Sequence, residues 1–227
     1  MKNLVVLTGA GISAESGIKT FREANGLWEE YDVMEVASIE GWHKNSELVM
    51  RFYNERRKQM IDCKPNEGHY GLAELEKYFN VQIITQNVDN LHEKAGSKNI
   101  LHLHGELSKS RSSVDPDLIY DIEGWELKWG DKCEKGSQLR PHIVWFGEAV
   151  PAMEDAVEIV KKADIFAVVG SSLVVYPAAS LLNYVQRRVP IYVIDPNEVN
   201  ASGNITFIKE PASKGVRKLR EFILKSN

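Results

Sequence analysis

The stretch Leu4–Gly17, LVVLTGAGISAESG, runs from an apolar strand directly into a glycine-rich turn. Continuous rather than alternating hydrophobicity is typical of a strand buried on both faces of a parallel sheet. Gly9, Gly11 and Ala14 fit the G-x-G-x-x-A spacing of a dinucleotide-binding turn, in which backbone N–H groups approach a pyrophosphate at a helix N-terminus. An isolated match is equally typical of a strand-to-helix turn without a ligand.

The residues after this turn differ from those of a hydride-transfer enzyme. Such enzymes carry an acidic residue at the end of a second strand, about 20 residues further along, where it binds the ribose. Here the chain continues with IKTFREANGLWEEYD, 18–32, which is polar and aromatic. The sequence therefore predicts that a group other than this ribose clamp holds the nucleotide.

Three more apolar runs extend the strand pattern through the chain: Val81–Thr85, Ile165–Val169 and Ile191–Ile194. Helical patterns occupy Ser46–Asp62, 66–79, 154–162, 178–188 and 213–225, with Asn66 and Ser213 as predicted N-cap residues. The alternation of strands and helices predicts an α/β fold with a Rossmann-like, doubly wound parallel sheet.

Two regions interrupt this alternation. The first, 26–62, is rich in aromatic and charged residues, and the second, Ser108–Pro141, is polar and rich in turns. We expect both to form a smaller inserted module. The predicted division of the single domain 1–227 is a large part at 1–25, 79–107 and 142–227 and a small module at 26–78 and 108–141.

Composition restricts the class of protein. The 227 residues are 43% hydrophobic and 26% charged with a net charge of -4, which is ordinary for a soluble protein and offers no general attraction to nucleic acid or membranes. No apolar run reaches the length of a secretory signal or a membrane span. Cys63 and Cys133 form no C-x-x-C pair, so a reducing cytoplasm is the expected location.

Small and polar residues follow two of the predicted strands. Gly170, Ser171 and Ser172 follow one strand, and Asp195 and Asn197 follow another, at the edge where open α/β sheets bind ligands. Turn formation and capping explain such residues equally well when they occur alone. Together with the glycine turn, these strand ends favour nucleotide binding.

A third strand end, TQNVDNLH, concentrates amide and carboxylate side chains. Gln86, Asn87 and Asp89 could orient a carboxamide, a ribose and a water, because amides both donate and accept hydrogen bonds. Taken alone, the segment is more typical of a helix-entry loop in which Asp89 or Asn90 caps the next turn.

Two histidines lie in ILHLHGEL, 100–107. On a strand, His102 and His104 would share one face, and His104 precedes Gly105, where the strand should end. An imidazole at that edge could accept a proton near neutral pH. A structural, hydrogen-bonded histidine is the usual explanation, and it is the one expected for His102.

The helix predicted over Ser46–Asp62 carries a cation on its apolar face. At about 100° per residue, one stripe contains Leu48, Val49, Phe52 and Met60. Arg56 projects from near the middle of this stripe, whereas Arg57 is expected well to the side. An internal glutamate partner, or an aliphatic stem that reaches water, is the common explanation for such an arginine.

Six motifs together resemble one family. GAGIS, SGIKTFR, TQNVDNLH, LHLHGEL, PHIVWFGE and VVGSSLVVYPAA occur in this order, and the chain from Leu4 to about Leu219 is similar to the sirtuins, which are NAD-dependent protein lysine deacylases. The resemblance implies a Rossmann-type domain, a smaller inserted module and NAD in the cleft between them. It also implies transfer of the acyl group from a substrate lysine to ADP-ribose, with release of nicotinamide.

The resemblance implies roles for single residues. His104 would be the general base that activates the ribose hydroxyls, while Asn87 and Asp89 would orient the nicotinamide ribose, the carboxamide or a water. The other residues expected to bind NAD are Gly9, Ala10, Gly11, Ser13, Phe21, Arg22, Trp28, Gln86, Gly170, Ser171, Ser172, Asp195, Asn197 and Ala212. Strand addition to the substrate peptide would involve Val144, Trp145, Phe146 and Gly147.

One sirtuin subgroup carries Tyr-x-x-Arg on a helix of the small module and prefers lysines with acidic acyl chains. Tyr53 and Arg56 match this pattern, and their i, i+3 spacing places them on one helix face. A guanidinium and a phenol can together bind a carboxylate. The resemblance therefore implies removal of succinyl or malonyl groups, and removal of acetyl groups remains compatible with it.

The chain departs from the family in its cysteines. Most sirtuins hold a structural zinc with two C-x-x-C pairs, but between Ser108 and Pro141 only Cys133 occurs. We therefore expect no zinc. Apolar packing is predicted to hold the module instead, through Leu118, Ile119, Tyr120, Ile122, Trp125, Leu127 and Trp129.

Two other functions would use the same cleft: transfer of ADP-ribose to a protein, and NAD sensing without catalysis. Tyr53, Arg56 and VWFGE favour an acyl-lysine channel over the first. His104, Asn87 and Asp89 argue against the second. The expected partners are acyl-lysine proteins or peptides, with no nucleic acid and no membrane, and the expected state is a monomer.

Overall fold

A computed structural model describes residues 1–18, 27–28, 31–197 and 205–225, with the backbone alone at 27–28. The strands are β1 (Asn3–Thr8), β2 (Leu27–Trp28), β3 (Tyr31–Asp32), β4 (Asn80–Thr85), β5 (Ile100–His102), β6 (Gly105–Ser112), β7 (Ile119–Asp121), β8 (Leu139–Ile143), β9 (Ile165–Val169), β10 (Ile191–Ile194) and β11 (Ile205–Ile208). The α-helices are α1 (Ala10–Ala14), α2 (Val33–Val36), α3 (Ile39–Lys44), α4 (Ser46–Asp62), α5 (Glu67–Leu75), α6 (Leu91–Lys94), α7 (Met153–Lys161) and α8 (Ala212–Lys225), and a 3₁₀ helix spans Ala178–Tyr184.

Six parallel strands form the larger sheet, in the order β11-β10-β9-β1-β4-β5. In β1, Leu4 lies opposite Val81 on one side and Ile165 on the other. The chain therefore builds outward from β1 in one direction through β4 and β5, and returns to the other side of β1 with β9. Ligands in open α/β sheets bind where the strand order reverses in this way, at the carboxyl ends of the strands.

Helices cover both faces of this sheet, which explains why its strands are apolar throughout. On one face, Leu72 and Leu75 of α5 pack with Val216 and Leu219 of α8. On the other face the sheet is covered by α7 and the 3₁₀ helix. The predicted doubly wound sheet is confirmed. The packing of α5 corrects the predicted division, which placed 26–78 in the small module.

The helix predictions succeed where local signals are strong. Helix α4 has the predicted bounds, and Asn66 caps α5 by accepting a hydrogen bond from Gly68 N at 2.9 Å. Ser213 is not an N-cap, because it lies in the first turn of α8 and donates from both its N–H and its hydroxyl to Glu15. The predicted helix 178–188 is a 3₁₀ helix that ends before the extended Val185.

Antiparallel strands β7-β6-β8 form a second sheet, which packs with α4 and with the short helices before it. The backbone passes from the larger sheet to this one through Leu103 and His104. Gly105 follows with φ +82°, and a Cβ there would lie 2.0 Å from the carbonyl oxygen of His142, so only glycine fits this bend. Within the described ranges, no helix has both the length and the apolar character needed to cross a membrane.

Candidate active site

Glycines at the ends of β1 and β9 allow two backbones to touch. Gly9 N donates to Val169 O at 3.0 Å and Gly11 N donates to Gly170 O at 2.8 Å. A Cβ on Gly9 would lie 2.7 Å from Gly170 O, and one on Gly11 would lie 2.7 Å from Gly170 Cα. The sequence assigns these glycines to a phosphate, but strand packing alone requires them, and both N–H groups are bonded within the chain.

Buried polar side chains connect this turn to the end of β4. Ser13 Oγ donates to Asp89 Oδ2 at 2.9 Å, and Asn87 Nδ2 donates to Ser13 Oγ and to Gly9 O, both at 3.1 Å. Asp89 Oδ1 accepts from Leu91 N at 3.1 Å. Burial raises the pKa of Asp89, although these two hydrogen bonds oppose the shift. The structure thus brings Asn87 and Asp89 together, as one network with Ser13.

Gln86 connects the ends of three strands. Its Nε2 donates to Ser171 Oγ after β9 at 2.9 Å, and its backbone N–H donates to Thr8 O at the end of β1 at 2.9 Å. Gln86 itself directly follows β4. Its carboxamide is therefore fixed at the edge of the sheet, beside the point where the strand order reverses.

His104 lies between the two sheets, half-buried, and its Nδ1 is 3.1 Å from Gln86 O. A carbonyl oxygen can only accept, so Nδ1 carries the proton and Nε2 is the proton acceptor of the neutral ring. Burial lowers the pKa of His104, and the bond to Gln86 O opposes this in part. The imidazole is therefore neutral near pH 7, as a general base must be.

His102 is hydrogen-bonded on both sides, in agreement with its predicted structural role. Its Nδ1 lies 3.1 Å from Asn87 O and its Nε2 lies 2.7 Å from Glu93 Oε1. The prediction that His102 and His104 share a strand face is wrong, because β5 ends at His102 and the chain bends at Leu103 and His104.

The remaining predicted NAD residues lie along the same edge of the larger sheet where they are described. Buried Asp195 directly follows β10 and its Oδ1 accepts from Asn197 N at 2.9 Å, while buried Ala212 begins α8. Ala10 begins α1, and Ser172 follows Ser171. Phe21 and Arg22 lie outside the described residues, and so does the side chain of Trp28.

A threonine pair and two histidines beneath this edge were missed by the sequence analysis. Thr8 Oγ1 donates to Thr85 Oγ1 at 2.8 Å and lies 3.0 Å from Nε2 of His92. The rings of His69 and His92 are 5.0 Å apart and buried. Burial lowers the pKa of His69 to about 4 and that of His92 to about 3. A signal existed, because a threonine ends each of two adjacent apolar strands.

Tyr53 and Arg56 of α4 are both buried, with 1% and 7% of their surface exposed. Tyr53 Oη accepts from Trp145 Nε1 at 2.9 Å, so its own O–H can still donate. Burial raises the pKa of Tyr53 and keeps the phenol neutral. The guanidinium of Arg56 lies 5.6 Å from the centre of the Phe52 ring. A cavity beside α4 is lined by Gly17, Ile18, Arg56, Gln59, Met60, Cys63, Val88, Asp89 and Leu107.

Arg57 is more deeply buried than Arg56, with 1% exposure, which contradicts its predicted position at the side of the helix. Its Nε donates to Leu107 O at 2.6 Å, and its Nη1 donates to Asn54 Oδ1 at 2.7 Å and to Trp125 O at 2.8 Å. Burial lowers the pKa of Arg57 to about 10. The second sheet covers this side of α4, and a helical wheel drawn from the sequence of α4 alone cannot predict that contact.

The predicted apolar packing of the second sheet is partly wrong. Leu127 is buried and Ile122 packs against the same core. Ile119, Trp125 and Trp129 are 44%, 38% and 58% exposed. Aromatic rings of this segment therefore face solvent, and other groups must hold the strands together.

A half-buried carboxylate supplies one such connection. Glu148 accepts from Arg140 Nη1 at 2.7 Å, from Arg111 Nη2 at 3.1 Å and from Trp145 N at 2.8 Å. Burial alone would raise the pKa of Glu148, but the hydrogen bonds of Arg140 and Trp145 N and the two arginine charges lower it. Arg111 of β6, Arg140 of β8 and the loop after β8 are thus joined at one point.

A hydroxyl and thiol cluster supplies a second connection. Ser112 Oγ and Ser137 Oγ are 2.8 Å apart, and Sγ of the buried Cys133 lies 3.1 Å from Ser137 Oγ and 3.5 Å from Ser112 Oγ. The hydrogen bonds with Ser112 and Ser137 lower the pKa of Cys133 to about 7. This cluster joins β6 to the loop before β8.

The predicted peptide-binding segment, Val144 to Gly147, is already paired in part. Phe146 N donates to Ala37 O at 2.9 Å and Phe146 O accepts from Ile39 N at 3.0 Å, while Val144 N donates to His104 O at 2.9 Å. The chain itself therefore already occupies the position that an added strand would take along this edge of Phe146. A substrate strand would have to use another edge of the segment.

Comparisons with known proteins agree with this architecture. The Sir2 family matches residues 9–177. A Bacteroides thetaiotaomicron protein named NAD-dependent protein deacylase is 57% identical over 231 residues and covers 99% of both chains, and a Helicobacter pylori protein of the same name is 56% identical over 221 residues and 96% of both chains. A crystal structure of a Sir2 homologue in complex with NAD has a TM-score of 0.89 at 40% identity, covering 99% of this chain and 90% of that chain. The chain belongs to the Sir2 family.

Proposed function

We propose that this protein is an NAD-dependent protein lysine deacylase that transfers an acyl group to ADP-ribose and releases nicotinamide. The relatives at 57% and 56% identity carry the name of this activity. One observation of the structure supports it above others: a half-buried imidazole, fixed through Nδ1 by Gln86 O, lies at the end of the chain segment that leaves the larger sheet.

The edge of the larger sheet fits NAD chemically. Asn90 Oδ1 is buried and has no hydrogen-bond partner among the described residues, as expected of an acceptor that a ligand completes. Gln86, Asn87 and Ser171 add amide and hydroxyl groups, and Asp195 adds a carboxylate suited to a ribose hydroxyl. In this proposal the residues around the dinucleotide are Gly9, Ala10, Gly11, Ser13, Gln86, Gly170, Ser171, Ser172, Asp195, Asn197 and Ala212.

The proposed chemistry assigns one proton transfer to this chain. NAD, when bound, supplies the ribosyl centre that accepts the acyl oxygen. His104 Nε2 then accepts a proton from a ribose hydroxyl, and Gln86 O stabilises the resulting imidazolium through Nδ1–H. Asn87 and Asp89 position the ribose or a water, because their network with Ser13 leaves little rotational freedom.

Mass spectrometry of one peptide carrying acetyl-, malonyl- or succinyl-lysine, incubated with and without NAD, tests this function. We expect NAD-dependent loss of the acyl group, which His104→Ala reduces at least a hundredfold and the exposed control His43→Ala leaves unchanged. ADP-ribose attached to a protein without deacylation would favour the transferase alternative. NAD binding without any product would favour a sensing module.

We further propose a preference for acidic acyl groups. Arg56 lines the cavity beside α4 together with the apolar Met60, Val88 and Leu107. A carboxylate at the end of an acyl chain would find a guanidinium there, and the neighbouring phenol of Tyr53 retains a proton to donate. Its bond from Trp145 Nε1 holds the Tyr53 ring in place.

The same three peptides test this preference. A charge-assisted hydrogen bond is worth about 1.5–3 kcal/mol, so Arg56→Met should lower kcat/KM for succinyl- and malonyl-lysine by roughly tenfold to a hundredfold while acetyl-lysine turnover changes little. Arg51→Met on the exposed side of the same helix is the matched control. Equal turnover of all three peptides that Arg56→Met does not alter would contradict the preference.

Three further properties belong to the proposal. Since Cys133 is bonded to serine hydroxyls and Cys63 is the one other cysteine of the sequence, no structural zinc is expected in the 108–141 region. Both cysteines are free thiols, in keeping with a cytoplasmic location. We expect a monomer with a large part and a small module. Light scattering of the purified chain measures its molar mass and so tests the monomeric state.

A further inference from the structure

Three side chains with metal-ligating atoms meet beside the candidate active site: Glu93 of α6, His102 of β5 and Glu106 of β6. A carboxylate oxygen of each glutamate and a ring nitrogen of the histidine all lie within 4.8 Å of one another. None of the three is used in the proposed chemistry. They come from three separate elements, so the fold and not a single turn brings them together.

The orientation of His102 determines which atom faces the two carboxylates. Its Nδ1 lies 3.1 Å from Asn87 O, a pure acceptor, so Nδ1 carries a proton. Its Nε2 lies 2.7 Å from Glu93 Oε1, which also only accepts. A lone pair and a carboxylate oxygen approach to this distance only with a proton between them, so a metal ion bound to both atoms would replace that proton and hold the two atoms further apart.

His102 is held by a hydrogen bond to a backbone carbonyl, as histidines in metal sites commonly are. A metal-binding histidine almost always donates its other ring N–H to a carbonyl or a carboxylate, which fixes the ring and raises the basicity of the ligating nitrogen. Here that acceptor is Asn87 O. His102 is only 10% exposed in its side chain, so it cannot rotate freely into another position.

The two carboxylates differ in their present partners. Glu93 is paired with His102, and Glu106 Oε1 accepts from Lys109 Nζ at 2.7 Å. The side chain of Glu93 is 40% exposed and that of Glu106 is 25% exposed, which leaves the cluster open to water and ions. Lys109 would therefore compete with a metal for Glu106.

We propose that Glu93, His102 and Glu106 form an exchangeable site for a divalent cation of the zinc type. One imidazole and two carboxylates suit Zn²⁺, Co²⁺ or Ni²⁺ better than the all-oxygen preference of Mg²⁺ and Ca²⁺, and three protein ligands leave a coordination position for water. The site differs in ligands and in place from the cysteine zinc site of the family. Because Asn87 O holds the histidine, an ion bound there would also restrain the segment that contains Asn87.

Calorimetric titration of the chelator-treated chain with zinc chloride tests the site. We expect one Zn²⁺ to bind to the wild type, Glu93→Gln and Glu106→Gln to weaken it at least about tenfold, and magnesium chloride not to compete. Lys109→Ala should tighten binding, since it frees the Glu106 carboxylate. Glu158→Gln is the matched control, because Glu158 also pairs with a lysine three residues away but has no histidine beside it in the described chain.

Imidazole ¹⁵N resonances of the wild type give a second measurement that needs no variant. The Nε2 resonance of His102 should shift on addition of one equivalent of zinc chloride, before the resonances of the other histidines. A zinc affinity that Glu93→Gln and Glu106→Gln leave unchanged, or that Lys109→Ala lowers, would overturn the proposal. So would a first equivalent of zinc that shifts the ring of another histidine.

Discussion

The six-stranded sheet buries continuous apolar runs between two helical layers, whereas the sheet β7-β6-β8 is joined to its surroundings by Glu148, Arg57 and a hydroxyl and thiol cluster. In the first region many small contributions add up, and the loss of one methyl group is a modest change. In the second a few buried polar atoms hold several elements at once. The contrast teaches that two sheets of one chain can be stabilised by different means, one by summed apolar burial and the other by a few polar contacts that each join several elements.

The largest effect is expected from Glu148→Ala. Removal of this carboxylate leaves Arg111 and Arg140 buried without their shared partner, which costs about 3–5 kcal/mol in the free energy of unfolding. Hydrogen exchange should show the loss mainly in β6 and β8, while amides of β1 and β9 remain protected. Glu158 forms an exposed ion pair with Lys161, so Glu158→Gln is the control and should leave the free energy of unfolding nearly unchanged. Equal exchange in both sheets would break the comparison.

Acid should act first on the larger sheet, through His69 and His92. Their folded-state pKa values of about 4 and about 3 lie below the unfolded value of about 6.5, so the unfolded chain binds more protons and stability falls with pH. The loss begins below pH 6.5 and reaches about 2 kcal/mol per histidine at pH 5.

Glu148 follows a different window of pH. Its pKa is lowered in the folded state, so its contribution is complete above the unfolded value of about 4.3 and is lost only as the pH falls further. Urea unfolding at pH 7, 5 and 4 should show this order, with His69→Gln reducing the change between pH 7 and 5. Constant stability from pH 7 to 5 would contradict the assignment of two buried neutral histidines.

Arg57→Met should cost about 2 kcal/mol, because it leaves Leu107 O and Trp125 O without their donor. The neighbouring variant Arg56→Met should change acyl preference and affect stability less. Arg51→Met, on the exposed side of α4, is the reference for loss of charge alone. Chemical denaturation of the three variants separates these roles. An equal free energy of unfolding for Arg57→Met and Arg51→Met would contradict a role of Arg57 in stabilising the packing of α4 against the second sheet.

The smallest effect is expected from Trp129→Ala. Its ring is 58% exposed, so the free energy of unfolding should change by less than about 0.5 kcal/mol. Leu127→Ala, two residues away and buried, should cost about 2–5 kcal/mol. A large loss for Trp129→Ala would restore the aromatic packing that the sequence predicts.

The sequence predicts the larger sheet well, because each strand and its covering helices carry their signal locally. Continuous apolar runs such as Ile165–Val169 and the Asn66 cap can be recognised without knowing any partner. The position of Arg57 cannot, because two of its three acceptors lie 50 and 68 residues away in sequence. The glycine turn is a third case. The motif predicts which residues are glycine, but the close contact between the ends of β1 and β9, which also requires glycine there, cannot be recognised from the motif.

His104 occupies the short link through which the backbone leaves β5 and enters β6, with Gly105 forming the bend. Bodies joined by short covalent links rotate about axes that pass close to those links, and atoms near an axis travel least. If the two sheets rotate relative to each other when substrates bind and products leave, loops far from the axis must be displaced more than residues close to it. The imidazole of His104 would lie near such an axis and would move little, so a tilt of the sheets would leave it beside Gln86 O.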